Sequence, residues 1–287
     1  MKSIKLFVRK LLMLINDKNY IHILYFIKLH KILNIQNPQT FNEKLQWIKL
    51  NVRNNLMTQC VDKLLVRDYV KSNNLERILN KLIGVFHNVD QINFELLPNK
   101  FVIKTNHGSS QNIIVKNKDL ITISKVKKLL RYYLKFNHFI VGREWPYKNV
   151  EPRIIIEQFL EEEGKLNTSG IKDYKVFCFN GKPHFIQVDI DRFNDHKRDF
   201  YDLNWNKLKM TLLYENSSLE LTKPKNLKEM VNFSAQLSNP FLFCRVDFYE
   251  VQNTLIFGEI TFFPENGMVE FSPYSINEEL GNLLNID

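Results

Sequence analysis

Two stretches near the end of the chain, each with polar residues at alternate positions, constrain the fold most. The first contains Arg245 and Asp247, and the second contains Glu259, twelve residues after the aspartate, and then Thr261. Side chains two positions apart on an extended strand point to the same face. Arg245 therefore shares a face with Asp247, and Glu259 shares one with Thr261. The spacing predicts a β-hairpin that brings the two carboxylates to one place.

Two carboxylates held close together in a partly buried site need a cation, because ionised groups of like charge repel each other there. No His or Cys shares the strand face of Asp247 or of Glu259, so the available ligands are oxygens. Hard oxygen ligands indicate magnesium, and magnesium suggests a nucleotide.

Length and composition are those of a sizeable enzyme. At 287 residues with 44% hydrophobic content, the chain can bury a full core and divides into two or three lobes. Its three cysteines, Cys60, Cys178 and Cys244, are odd in number and unclustered, which indicates neither a disulfide framework nor a zinc site. A cytoplasmic location is the simplest expectation.

The formal charge of +9 indicates an acidic partner. Nucleic acid, a membrane surface and an acidic substrate are the three classes that such a charge can serve. The Lys and Arg residues are scattered, with no Arg-rich tract or zinc-finger pattern, so we expect no nucleic-acid partner. An acidic substrate is favoured, although part of the excess can reflect Lys-rich composition alone.

Residues 1–16 mix basic and apolar side chains. The apolar run is too short to span a bilayer, and no small-residue cleavage site follows it. Two interpretations stay open: a basic amphipathic helix packed on the body of the protein, or a peripheral membrane contact at the inner face of the membrane.

The order of predicted elements indicates an α+β protein. Residues 1–80 form a mostly helical region, with a capping box at Thr40 and Glu43 and a further helix from about Asp62 to Ser72. A later helix runs from Ser124 to Phe136, with Ser124 as its cap. Strands are predicted near 83–86, 101–104, 153–157, 174–179 and 184–189, and the last two are joined by a turn at Asn180-Gly181.

A strand that ends at Lys104 leads into a loop containing Gly108, Ser109 and Ser110. Such a loop can turn backbone N–H groups toward a phosphate while the lysine supplies a point charge. An ordinary hairpin turn is the alternative interpretation. His107, in the same loop, is expected to hydrogen bond within it.

Two other strands carry polar residues that could contact a nucleotide. Glu157 ends an apolar strand just before Phe159 and Leu160, an arrangement that can offer a carboxylate and backbone groups to a purine edge, or be a strand end at solvent. Asp173 and Lys175 share one face of a strand and are either a surface ion pair or ligands for ribose and phosphate.

Taken in order, these pieces resemble the TupA-like ATP-grasp family of polysaccharide gene clusters. The resemblance extends from about Phe41 to Pro273. Its carriers are Phe41 to Trp47, Asp62-Lys63 with Val66 to Val70, Phe101 to Ser109, Glu157, Asp173 to Lys175, Arg245 to Asp247, and Gly258 to Phe262.

The resemblance implies a fold in which two α+β lobes clamp ATP, and it implies a role for each matching residue. Phosphate contacts would come from Lys63, Lys104, Lys175 and Arg192, with Gly108, Ser109 and Ser110 in the loop over them. Glu157 with Phe159 and Leu160 would meet adenine, and Asp173 the ribose. Asp247, Glu259 and Thr261 would hold Mg²⁺, and Arg245 and Lys104 would act on the reacting groups. Many ATP-grasp ligases have Asn where this chain has Thr261, which leaves the second metal site in doubt.

The reaction implied for this family is amide formation through an acyl phosphate. The partners would be an amino acid and a uronic acid of a capsular or similar surface polysaccharide, with ATP and Mg²⁺ as cofactors. The implied organisation is a helical region at 1–80, a small lobe at 81–160 and a large lobe at 161–287. A glycosyltransferase of the same pathway is the alternative, for which Asp189-Ile190-Asp191 is the nearest metal motif. A non-catalytic binding subunit is a second rival.

Overall fold

The computed structural model describes residues 14–161, 171–190 and 195–286. Most of the predicted membrane-contact segment 1–16, together with Arg192, lies outside these residues. The α-helices are α1 (Asp17–Leu29), α2 (Phe41–Asn51), α3 (Asn55–Val61), α4 (Val66–Ser72), α5 (Ile123–Leu134), α6 (Phe139–Gly142), α7 (Leu227–Ser238) and α8 (Ser275–Leu283). The strands are β1 (Leu82–Phe86), β2 (Phe101–Thr105), β3 (Asn112–Val115), β4 (Ile154–Gln158), β5 (Asp173–Phe179), β6 (Lys182–Ile190), β7 (Lys197–Asp202), β8 (Phe243–Val251) and β9 (Thr254–Thr261).

The strands form two antiparallel sheets. The small sheet has four strands in the order β1-β4-β2-β3, and the large sheet has five in the order β7-β6-β5-β8-β9. Helices pack against both sheets, so the predicted α+β class is confirmed. Among the described residues, none of the helices combines the length and the apolar character that crossing a lipid bilayer requires.

The predicted hairpin near the C-terminus is present as β8 and β9. Gln252 and Asn253 connect the strands with φ angles of 51° and 62°, which is the left-handed conformation of a type I′ turn. Asp247 lies directly opposite Glu259 in the register, and a bulge follows Asp247. The hairpin therefore brings the two carboxylates together as the sequence predicted. The predicted turn at Asn180-Gly181 is also present, again with positive φ angles.

Helices α2, α3 and α4 share the core of the large sheet. Helix α2 begins at the predicted capping box, in which Thr40 and Glu43 each accept a hydrogen bond from the other's backbone. Its first residue, Phe41, is buried with its ring centroid 4.9 Å from that of Phe243 and 5.6 Å from that of Phe179. This aromatic contact fixes α2 on the sheet that carries the acidic hairpin.

Two predicted helix starts were wrong. The helix expected from about Asp62 begins only at Val66, because the Asp62 carboxylate accepts hydrogen bonds from the backbone N–H groups of the next turn. This competition of an Asp side chain with helical bonding is typical of turns. The helix expected to be capped by Ser124 instead starts at Ile123, with Thr122 at the N-cap position.

The small sheet has its own apolar core, separate from that of the large sheet. Phe101, Ile103, Ile154 and Ile156 on β2 and β4 are fully buried, and Leu130 of α5 packs against them. Because each sheet buries its own apolar face, polar side chains of both sheets are left to line the space between them.

Candidate active site

A cleft of about 410 Å³ lies between the two sheets. Side chains of the β2–β3 loop line it on one side, and side chains of β5, β8 and β9 line it on the other. Ten residues predicted for the site meet there: Lys63, Lys104, Ser109, Ser110, Asp173, Lys175, Arg245, Asp247, Glu259 and Thr261.

Three charged side chains lie in a row across the large sheet at the floor of this cleft. Lys175 on β5 lies opposite Asp247 on β8, and Asp247 lies opposite Glu259 on β9. Directly opposed residues of antiparallel strands have Cβ atoms only about 5 Å apart. The register therefore places a cation and two carboxylates side by side on three neighbouring strands.

Arg245 and Asp247 form a buried bidentate ion pair on one face of β8. The Nε atom of Arg245 donates to Oδ1 of Asp247 and its Nη2 atom donates to Oδ2, each at 2.7 Å. Burial opposes the charge of Arg245, but Asp247 outweighs it and raises the pKa of Arg245. Burial also raises the pKa of Asp247, against the opposing effect of Arg245 and Lys175. The pair is thus strongly coupled in a site removed from water.

Lys175 is surrounded by three aspartates. Its Nζ atom contacts Asp173, lies 3.2 Å from Asp247 and lies 3.7 Å from Asp189. Only 6% of the lysine side chain is exposed. The surface ion pair that the sequence left open for Asp173 and Lys175 is therefore wrong, because both side chains are buried in the floor of the cleft.

Glu259 is the most accessible carboxylate of the row, with 39% of its side chain exposed. Its Oε1 atom accepts a hydrogen bond of 3.2 Å from the hydroxyl of Thr261, and its Oε2 atom lies 3.6 Å from Nζ of Lys63. Burial raises its pKa, but Lys63, Arg245 and Lys175 together outweigh that effect and lower the pKa of Glu259 to about 2. It is ionised at any physiological pH.

Lys63 connects the two sides of the cleft. Its Nζ atom donates to the carbonyl oxygen of Gly108 at 2.6 Å, and its backbone N–H donates to Asn106. Since the same Nζ atom also faces Glu259, one ammonium group contacts both the loop of the small sheet and the hairpin of the large sheet.

The loop after β2 presents two serines to the cleft. Ser109 and Ser110 are exposed, and Ser110 has a left-handed φ of 57°. At Gly108 a Cβ atom would lie 2.3 Å from Oε1 of the buried Gln111, so a larger residue there would displace that side chain. His107 is buried, and its Nδ1 atom lies 3.2 Å from Oδ1 of Asn106. The predicted role of His107 in hydrogen bonding within the loop is confirmed.

Four of the predicted residues do not line the cleft: Gly108, Glu157, Phe159 and Leu160. Glu157 is buried on β4, where its carboxylate lies 2.7 Å from Lys104 and 3.4 Å from Arg67. It is not a strand end at solvent, and it reaches the cleft only through Lys104. Its contact with adenine stays a prediction, as does the role of Arg192.

Most of the residues that widen the cleft beyond the predicted set had no signal in the sequence. One wall carries His138, Glu144 and Tyr147, and the opposite end carries Asp189, His196, Arg198, Tyr214 and Glu265. Asp189 follows the alternation of β6 and pairs with Asp173 in the register, and the sequence offers Glu265, just after β9, as a further acidic ligand or a turn residue. The others come from loops and from elements distant in the chain.

At that far end, Arg198 neutralises Asp189. Its Nε atom donates to Oδ1 of Asp189 at 2.7 Å, its guanidinium lies over the ring of Tyr214, and its Nη1 atom lies 3.4 Å from Glu265. The nearest candidate for an Asp-x-Asp motif thus has its first carboxylate engaged by Arg198 and Lys175. Asp191 lies outside the described residues.

Two antiparallel sheets that enclose a cleft with paired carboxylates and facing lysines form the architecture of an ATP-grasp protein. Within this class, the chain belongs to the TupA-like ATP-grasp family, whose sequence model matches residues 43–285.

Solved structures of similar fold are distant in sequence. D-alanine–D-alanine ligase from Bacillus anthracis is 17% identical with a TM-score of 0.42, over 71% of this chain and 57% of that chain. The corresponding ligase from Helicobacter pylori is 16% identical with a TM-score of 0.43, over 85% and 69%. A RimK domain ATP-grasp protein from Sphaerobacter thermophilus is 8% identical with a TM-score of 0.44, over 79% and 69%.

The chain thus spans a little over half the length of the Bacillus anthracis ligase. No curated protein matches it.

Proposed function

We propose that this protein is an ATP-dependent carboxylate–amine ligase that joins an amino acid to a uronic acid of a capsular or other surface polysaccharide, or of its precursor. The reaction runs through an acyl phosphate and releases ADP and phosphate. The observation that carries the proposal is the row of Lys175, Asp247 and Glu259 on the floor of the cleft, faced by Lys63 and Lys104.

The basic groups supply what a polyphosphate needs. Lys63 and Lys104 reach the cleft from the side of the small sheet, next to the exposed hydroxyl groups of Ser109 and Ser110. Lys175 lies on the opposite side. Point charges of this kind, with turn N–H groups beside them, are typical of phosphate sites. Asp173 serves the ribose, Glu157 with Phe159 and Leu160 serves adenine, and Gly108 shapes the phosphate loop.

The acidic groups fit magnesium. Mg²⁺ is usually held by one or two protein carboxylates, with phosphates and water completing its shell. Asp247 and Glu259 are the two carboxylates, and the Thr261 hydroxyl lies within hydrogen-bond distance of Glu259. Neighbouring cations lower the pKa of Glu259 and keep it ionised. At Asp247, Arg245 and Lys175 oppose the increase in pKa that burial causes. When bound, the ion neutralises charge on the transferring phosphate.

The residues around this site contribute positioning and electrostatic stabilisation. Arg245 is held rigidly by its two bonds to Asp247, and it projects the remaining guanidinium edge toward Thr261, 3.4 Å away. In that position it steadies the reacting carboxylate, and Lys104 steadies the departing phosphate. Preorganised contacts of this kind lower an activation barrier by about 3 kcal/mol each.

The acidic acceptor accounts for the excess of basic residues. A uronic-acid polymer is polyanionic, and a net charge of +9 raises its local concentration at the protein surface. A peripheral membrane contact of residues 1–16 at the inner face of the membrane would bring the enzyme to a lipid-linked acceptor. The next helix, α1, supports this proposal because Ile23, Phe26 and Ile27 are more than half exposed on it.

The test is nucleotide turnover with defined partners. Purified protein is incubated with ATP and Mg²⁺ and with a panel of uronic-acid glycans or sugar nucleotides crossed with the amino acids, and ADP, AMP and phosphate are measured. ADP and phosphate that appear only when both partners are present would support the ligase. Glu259→Gln serves as the matched inactive control.

Other products would redirect the assignment. AMP as the product would contradict acyl-phosphate chemistry and indicate an adenylate. Consumption of a sugar nucleotide without ATP turnover would favour the glycosyltransferase alternative. If Glu259→Gln leaves turnover unchanged, the assignment of Glu259 to the metal site is refuted.

A further inference from the structure

Glu144 differs from every other acidic residue in the cleft. It lies just beyond α6, only 6% exposed, and its side chain lines the same cleft as Glu259. The other five acids that line the cleft each have a basic nitrogen within 4.0 Å: Asp173, Asp189, Asp247, Glu259 and Glu265. Glu144 has no Lys or Arg nitrogen at that distance in the part of the chain that the structure describes.

Among the described residues, the basic nitrogen within 4.0 Å of the Glu144 carboxylate belongs to a histidine, His138. Nε2 of His138 lies 3.9 Å from Oε1 of Glu144, but burial, with Lys63, lowers the pKa of His138 to about 4. The imidazole is therefore uncharged at neutral pH. Lys49 of α2 influences Glu144 electrostatically, yet its ammonium group donates to Gln46 and to the carbonyl oxygen of Asn266 instead.

A buried carboxylate without an adjacent cation is costly unless it is protonated or a ligand supplies the charge. Burial raises the pKa of Glu144 to about 7, with Lys49 opposing the shift and Glu259 adding to it. Tyr147, the remaining titratable neighbour on this wall, is itself kept neutral by burial, which raises its pKa. The wall thus carries an acid that opens onto the cleft, has no Lys or Arg nitrogen within 4.0 Å among the described residues, and is able to exchange a proton near neutral pH.

We propose that Glu144 binds the ammonium group of the amine co-substrate and accepts its proton, so that the free amine can attack the acyl phosphate. This assignment rests on the proposed ligase function and adds the residue that activates its second substrate. An amino acid carries an ammonium group at neutral pH and cannot act as a nucleophile until that group loses a proton. Glu144 supplies both the counter-charge and the proton acceptor.

The step balances. One proton passes from the ammonium nitrogen to the Glu144 carboxylate, which leaves a lone pair on nitrogen. That pair forms the C–N bond with the acyl carbon, the C–O bond to phosphate breaks, and phosphate leaves with the electron pair. The nitrogen loses its second proton to water as the amide forms, and Glu144 then returns its own proton to solvent.

The test compares two amines in one variant. Glu144→Gln keeps the volume and removes the charge, and Glu229→Gln, which alters a surface ion pair with Arg77, is the matched control. The first amine is the amino acid that the wild-type protein uses. The second is hydroxylamine, which is uncharged at neutral pH and traps an acyl phosphate as a hydroxamate without losing a proton first.

We expect Glu144→Gln to lower kcat/KM for the amino acid on the order of 100-fold or more, and to leave hydroxamate formation and ATP affinity close to wild type. Raising the pH should restore part of the lost activity, because more of the amino acid is then a free amine. Glu229→Gln should match wild type with both amines.

Two results would overturn the assignment. Equal loss with both amines would mean that Glu144 acts on acyl-phosphate formation or only maintains the fold, which a melting curve separates. Unchanged activity with both would mean that it plays no part. If the wild-type protein forms neither amide nor hydroxamate with any uronic acid, the ligase proposal itself fails, and the role of Glu144 fails with it.

Discussion

Asp247 and Glu259 are adjacent acids with the same proposed metal role, yet removing their charges should have very different effects on stability. Asp247 is 3% exposed and holds Arg245 through two hydrogen bonds. Glu259 is 39% exposed on its side chain, and its closest basic partner, Lys63, lies 3.6 Å away. Asp247→Asn therefore leaves a buried guanidinium without its partner, whereas Glu259→Gln loses only partly screened contacts.

The contacts of each acid determine how much unfolding free energy its substitution removes. Breaking a buried ion pair by removing one partner costs about 3 to 5 kcal/mol. Lys175 still has Asp173 and Asp189 in the variant, so the cost comes mainly from Arg245, and we take the lower figure of about 3 kcal/mol. That corresponds to a fall of roughly 6 to 12 °C in Tm for a chain of this size. For Glu259→Gln we expect a change of less than about 1 kcal/mol.

The assay is unfolding by heat and by urea, without nucleotide or Mg²⁺, so that metal binding does not enter. Turnover should be lost in both variants. The double variant in which Arg245→Met accompanies Asp247→Asn should recover part of the lost stability, because the unpaired cation is gone. The reasoning is refuted if Asp247→Asn and Glu259→Gln melt at the same temperature.

Further predictions concern the loop contact, the aromatic core and the buried acid. Lys63→Met should weaken Mg-ATP binding by roughly tenfold or more in calorimetry, since a hydrogen-bonded cation is lost, while exposed Lys125→Met should bind normally. Phe41→Ala should cost about 3 to 5 kcal/mol in urea unfolding, against almost nothing for exposed Phe26→Ala. The pKa of Glu144 is raised from 4.5 to about 7, so its contribution to stability falls as the pH rises between those values. Glu144→Gln should flatten that decline in urea unfolding at about pH 5 and about pH 7.5.

Local patterns in the sequence predicted the part of the site that neighbouring strands build. Alternation along β8 and β9 sets which side chains of each strand share a face, and the spacing predicts the hairpin itself. The register of its two-residue turn alone would place Asp247 opposite Gly258, and the bulge after Asp247 brings Glu259 opposite it instead. The capping box at Thr40 is equally local. These features depend on residues a few positions apart, where the backbone geometry is almost determined.

Features that depend on distant contacts were not predictable. The second carboxylate oxygen of Asp62 accepts a hydrogen bond from Asn106, 44 positions away. Glu144 belongs to the cleft only because α6 packs against Asn266, where a Cβ on Gly142 would lie 1.8 Å from the amide oxygen. No periodicity in the sequence encodes such a contact, because it is fixed by the packing of separate elements.

The ion pairs of the cleft also bear on how ATP would bind. Each of the three lysines proposed to contact phosphate already faces a carboxylate: Lys63 faces Glu259, Lys104 faces Glu157, and Lys175 faces Asp173. Phosphates would therefore replace carboxylates as partners of these cations. The free energy gained on ATP binding is then only the difference between the cation–phosphate and the cation–carboxylate interactions. The displaced carboxylates of the hairpin would then repel the phosphates, because both carry negative charge at close range. On the proposed function, Mg²⁺ is thus needed for tight binding as well as for chemistry, because it turns that repulsion into attraction.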